Sequence, residues 1–218
     1  MNLPFTSSEF FEVMAAYNRG VWPAQVALEL SAVAVVWLAL RRPASAGVWV
    51  SAILASLWTW TGLAYHWAFF TGINKAAWAF GALCLAGATS FAWFGVARHR
   101  IKVSFELGRR GLVGWMLVAF ALVLYPALGV VVGHRYPAFP TFGLPCPTTI
   151  FTVGVLLLMR PDTPRWVYVA PLIWSAVGAS AAFLLGVYQD LGLVASGLAA
   201  AWAVFHRTGK SPSLPAAR

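Results

Sequence analysis

The chain is 218 residues long, 61% hydrophobic and 10% charged, with twelve Trp, a mean hydropathy of +0.76 and a formal net charge of +9. A soluble domain carries about 25% charged residues, so this composition excludes an ordinary water-soluble enzyme or binding module. Open sheets are excluded too, because their strand edges go unsatisfied in hydrocarbon, and the apolar stretches are too long for barrel strands.

What remains is an all-α, polytopic membrane protein, a single membrane domain over residues 1–218. It opens with "PFTSSEFFEVMAAYNRG", in which Thr6 and Glu9 fit a capping box, Phe5 and Phe10 a hydrophobic staple and Gly20 a helix stop. This predicts an interfacial amphipathic helix over 7–17 with Phe10, Phe11, Met14 and Tyr17 on its apolar side, either a membrane collar or a lid over an outward cavity. About seven transmembrane helices follow, at 21–40, 46–70, 75–97, 112–133, 147–159, 166–187 and 191–206, since a bilayer core takes about 20 apolar residues in helix.

The charges test that drawing. Arg41 and Arg42, then Arg98, Arg100, Lys102, Arg109 and Arg110, then Arg160 and Arg165, and the tail residues Arg207, Lys210 and Arg218 all fall on one side. Only Arg19, Lys75 and Arg135 fall on the other. The positive-inside rule then places the N-terminus outside and the C-terminus, with a tail over 208–218, in the cytoplasm. The net charge is thereby a topological signal, and no nucleic-acid partner is needed to explain it.

Similar segment ends suggest a 3+1+3 parallel repeat, 21–98 against 146–207: "FAWFGVARHR" beside "AAWAVFHR", and "VWVSAIL" beside "RWVYVAPL". Such repeats occur in transporters. The fifth span is short and opens with Pro, so the preceding "TFGLPC" has to complete the crossing as non-helical backbone covered by protein or water. That passage belongs to "GHRYPAFPTFGLPCPTTIF", the densest group of polar and Pro residues in the chain.

Ionisable groups inside spans are expensive, which makes each a functional candidate. Glu29 in the first span is expected to face the bundle interior, as a proton- or cation-binding carboxylate or as a structural hydrogen-bonding group. Trp58, deep in the second span, needs a partner for its indole N–H. Tyr65, His66, Asn74, His134, Arg135, Thr148, Thr149 and Asp190 all belong to the outer leaflet in this topology. Together they predict a polar outer vestibule leading toward Glu29 and Trp58, for a small polar solute or ion.

Three other chemistries draw on the same residues. His66, His134, Cys146 and Asp190 are metal-ligand types, although no pair has ligand spacing on one helix. The helix start at Pro147, with the N–H groups of Thr149 and Ile150 and with Arg135 and Lys75 nearby, suits an anion. Cys146 with His134 is the alternative pair for an outer-face enzyme or redox protein, and a subunit of a membrane complex or a homo-oligomer is a further reading. The two cysteines, Cys84 and Cys146, form no disulfide pattern. The last span has no Lys for a retinal Schiff base.

The passages "YHWAFFTGINKAAWAFGAL", "GHRYPAFPTFGLPCPTTIFTVG" and "AAFLLGVYQDLGL" resemble those of an uncharacterised family of small bacterial multi-pass membrane proteins. The resemblance implies a bacterial inner (plasma) membrane location and brings no assigned activity; it names no cofactor. The architecture also resembles that of the SWEET sugar transporters. The Pro-Asn pairs of that family are absent here, since Ala24 follows Pro23 and Thr148 follows Pro147.

Overall fold

The structure, a computed structural model, describes residues 4–104 and 108–206. The described residues form seven helices and no strand: α1 Ser7–Arg41, α2 Ala46–Gly72, α3 Ala77–Ala97, α4 Arg109–Val131, α5 Pro145–Leu157, α6 Arg165–Leu184 and α7 Leu191–Phe205. Five of them, α1 to α4 and α6, are long and apolar enough to cross a membrane. The charges expected in the tail at Arg207, Lys210 and Arg218 lie outside the described residues.

The N-terminal reading holds in part. Thr6 and Glu9 form the capping box, and the Phe5 and Phe10 rings stack with centroids 6.0 Å apart. The helix does not stop at Gly20, however, but runs through Gly20 and Pro23 to Arg41. Gly20 keeps its helical partners and packs beside the Phe69 ring, so its low propensity is overridden. At 1.5 Å per residue these 35 residues reach about 50 Å, against a bilayer core of about 30 Å.

Helix α5 organises the rest. Every residue from Pro147 to Leu157 is buried, and the helix packs against α4, α6 and α7 and more lightly against α2. A helix that is apolar all round belongs in a core. Its 13 residues rise only about 20 Å, and both ends are completed by other backbone. Pro145 at the first helical position suits the start, where an N–H would lack a partner. At the far end, Arg110 Nε donates to the Leu157 carbonyl at 3.1 Å and Nη2 to the Leu156 carbonyl at 3.2 Å. Those carbonyls are orphans of the helix terminus. Residues 102–104 then pair with 158–160, through Ser104 N to Leu158 O and Arg160 N to Lys102 O, both at 2.9 Å.

Helices α4 and α5 cross at a pair of glycines. A Cβ on Gly154 would lie 2.8 Å from the Gly114 carbonyl oxygen, and one on Gly114 would lie 2.9 Å from the Gly154 carbonyl oxygen. Small residues allow such backbone contact, a main source of helix association in lipid. Three helices also contain π-helical stretches, Thr61–Phe69 in α2, Ala92–Ala97 in α3 and Phe120–Leu124 in α4. Such stretches are frequent at functional sites.

The loops gather at two ends. The N-terminus of α1, the α2–α3 turn, the segment 132–144 and the α6–α7 turn meet at one end, which carries Arg19, Lys75 and Arg135. The α1–α2 turn and residues 98–103 and 158–165 meet at the other, with Arg41, Arg42, Arg98, Arg100, Lys102, Arg160 and Arg165.

Glu29 is a correction. Helix α1 turns Leu28, Ala32, Val35 and Ala39 inward, a helical stripe, which leaves Glu29 exposed on the outer face with Val26, Leu30, Val33 and Trp37. It does not face the bundle interior, because α1 packs chiefly on α2 and has only one covered side.

Replacing Gly154 with Val should destabilise the α4–α5 crossing by several kcal/mol, since the obstacle is backbone rather than a movable side chain. Unfolding in detergent checks this; unchanged stability would show that the two helices do not approach so closely.

Candidate functional site

The segment 132–144 is held to α1 chiefly through a buried amide, with further bonds from Tyr136 Oη to the Asn18 carbonyl at 3.2 Å and from Gln25 Nε2 to Thr141 Oγ1 at 3.0 Å. Asn18, fully buried, donates through Nδ2 to the carbonyls of Pro137 at 2.6 Å and Phe139 at 2.7 Å. Its Oδ1 accepts from Gln25 Nε2 at 2.6 Å and from Thr141 Oγ1 at 2.9 Å. The backbone turns inward from there, so that Pro140, Phe142, Gly143 and Leu144 are buried before α5 begins at Pro145. This is the protein-covered non-helical entry that the short fifth span called for.

Beyond Leu144 lies a cavity of about 130 Å³. The ends of five helices close it: Phe10 and Met14 from α1, Tyr65 and Phe70 from α2, Phe80 from α3, Tyr125 from α4 and Trp174 from α6, with Cys146 at the start of α5. Phe5, Asn74 and Asp190 also line it. The walls are mostly apolar with a few convergent polar groups, the usual make-up of a small-molecule site.

The charged element is Asp190, at the N-terminus of α7 and 1% exposed. Tyr125 Oη donates to its Oδ1 at 2.5 Å, and the Cys146 thiol lies close beside the carboxylate. Among the described residues, the one ion pair joins Arg160 to Asp162, so no described cation pairs with Asp190. Burial pushes its carboxyl up to about 7, against the opposing effect of the Tyr125 hydrogen bond and the nearby Cys146 thiol. Trp174 Nε1, beside the sulfur, has no hydrogen-bond acceptor of normal geometry.

The structure divides the candidate vestibule. Tyr65, Asn74 and Asp190 line the cavity, and Asn74 Oδ1 also accepts from Ala76 N at 3.0 Å, capping the turn before α3. His66 is fully buried behind the wall, its ring 4.9 Å from that of Trp174, and neither ring nitrogen has a partner. His134 lies against Phe11 with ring centroids 4.6 Å apart, outside the cavity lining. Arg135 is exposed. Thr148 and Thr149 are buried in the body of α5, and the helix begins two residues before Pro147. The N–H groups of Thr149 and Ile150 thus fall in its second turn, unavailable to an anion.

Trp58 is also a correction. Its Nε1 donates to Thr152 Oγ1 at 3.0 Å, so it ties α2 to α5 rather than lining a path from the vestibule. The metal set does not assemble either: among the described residues no three of His, Cys, Asp or Glu lie together. Of His66, His134, Cys146 and Asp190, only the last two meet. Sequence reasoning missed Asn18 and Tyr125. A Gln seven residues after an Asn gave a faint signal for the first, and the second carried none.

The model of a family of unknown function, DUF6064, matches residues 7–212. The chain belongs to that family. Neither a curated protein nor a solved structure matches it. In this DUF6064 protein the site is therefore read from geometry alone.

Two outcomes follow. Asn18→Ala should remove the side-chain donor from the half-buried Phe139 carbonyl and one of two donors from that of Pro137, at a cost of about 1–3 kcal/mol. Amide exchange across 135–144 should then accelerate, and unchanged protection would show that the segment is held by something else. Because Asp190 binds its proton more tightly folded than unfolded, its stabilising effect is full below its ordinary pKa of 3.8 and is lost as pH rises to about 7. Asp190→Asn should flatten that decline in unfolding measurements between those limits; an identical pH slope in both proteins would refute it.

Proposed function

We propose that the protein is an integral membrane carrier for a small organic solute, with the cavity beside Asp190 as its binding site. In this reading all seven helices lie in the bacterial inner membrane. The end carrying few basic residues, with the N-terminus of α1, faces away from the cytoplasm, as the positive-inside rule requires. The triplets α1–α3 and α5–α7, with α4 between them, are the parallel repeats of such carriers.

The observation that carries this reading is a cavity that combines apolar walls with a buried carboxylate paired to no described cation. The non-helical entry to α5 supports it, since broken spans mark substrate sites in transporters. So does the staple end of α1: Phe5, Phe10 and Met14 lie over the cavity on turns that outreach the bilayer core, and they have the geometry of a cover. Glu29 has no part in the pathway, because its carboxyl sits on the opposite, outward face. Cys146 and His134 do not form a catalytic pair, since His134 stacks on Phe11 away from the cavity.

Proteoliposomes offered a mixture of small charged and neutral organic solutes should accumulate at least one of them, read by mass spectrometry. Val177→Phe, which puts a ring into the cavity, should reduce that uptake by at least about tenfold. Accumulation no greater than in protein-free liposomes would sink the carrier reading.

A further inference from the structure

The chemistry of the cavity selects among small solutes. Seven of its lining residues are aromatic, Phe5 and Phe10 together with Tyr65, Phe70, Phe80, Tyr125 and Trp174, and Asp190 is its single carboxylate. The rings form continuous walls: Tyr65 and Phe70 stack with centroids 5.5 Å apart, while Phe80 and Trp174 meet edge to face at 5.4 Å. Aromatic faces present negative charge, and desolvated cations gain about 2 kcal/mol or more from one. A buried carboxylate without a cation is correspondingly costly. An anion would be repelled by Asp190, and a neutral solute would offer the carboxylate no counter-charge. A metal ion lacks ligands, because Cys146 is the one other ligand-type side chain beside Asp190.

Resting on the solute-binding reading above, we propose that the cavity takes a small organic ammonium ion, whose charge pairs with Asp190 and whose methyl groups pack on the rings. Size agrees. An apolar cavity of about 150 Å³ holds benzene, so one of about 130 Å³ admits about five or six non-hydrogen atoms, enough for a trimethylammonium head. A trimethylammonium head has both features, the charge and the methyl groups.

Choline and 3,3-dimethyl-1-butanol form a matched pair for the test, because they differ only in a charged nitrogen replaced by carbon. Binding to the purified full chain in lipid nanodiscs is followed by Trp fluorescence and titration calorimetry. Choline should bind at least about tenfold more tightly than the alcohol. Asp190→Asn should bring the ratio close to one. Phe80→Leu keeps the acid and removes one ring, and it should weaken choline several-fold with little effect on the alcohol. That second variant preserves the test if Asp190→Asn fails to fold. Equal or tighter binding of the alcohol would overturn the ammonium assignment while leaving a solute site in place. Binding of neither compound overturns the assignment, and only if the liposome mixture also fails to accumulate does the carrier reading fall with it.

Discussion

The fold depends on burying a helix too short to cross a bilayer. Helix α5 is apolar on every side and finds no solvent, so four other helices pack around it and both of its ends are finished by non-helical backbone. Backbone groups in hydrocarbon have to be paired, which explains why each end is so heavily hydrogen-bonded. Arg110 and the 102–104 pairing close one terminus, and Asn18 holds the approach to the other. Without those partners the helix would gain burial and lose it again to unsatisfied carbonyls.

The cavity follows from the same shortfall. Where α5 stops short, the ends of α1, α2, α3, α4 and α6 have nothing continuous to pack against, and a space remains beside Cys146. Phe and Trp rings fill most of it, and Asp190, from the turn before α7, supplies the charge. Tyr125 hydrogen-bonds the carboxylate but does not neutralise it. A charge solvated only by a neutral donor is open to a proton or a cationic ligand.

Several residues that stood out in the sequence have structural tasks. Trp58 was conspicuous as an indole deep in a span, and it donates its N–H to Thr152; Trp60 likewise donates to the Tyr17 hydroxyl at 2.7 Å. Glu29 was conspicuous as a charge, and the helix phase turns it outward. Residue type signals that a polar group in a span has to be accounted for. It does not signal the direction in which the group points.

The sequence by itself determined the all-helical class, the seven apolar segments, the capping box and the shortness of α5, because these depend on composition and on contacts between near neighbours. It marked the passage from Gly133 to Phe151 as unusual for the same reason. Only the tertiary structure decided that Asn18 anchors that passage, that Tyr125 and Cys146 meet Asp190, and that His66, His134 and Arg135 stay apart from them. Those pairings join residues 44 to 121 positions apart, set by helix rotation and crossing rather than by local pattern. A run of Ala, Leu, Val and Trp packs acceptably in many rotations, so hydrophobic periodicity leaves the inward face of each helix to be chosen by its neighbours.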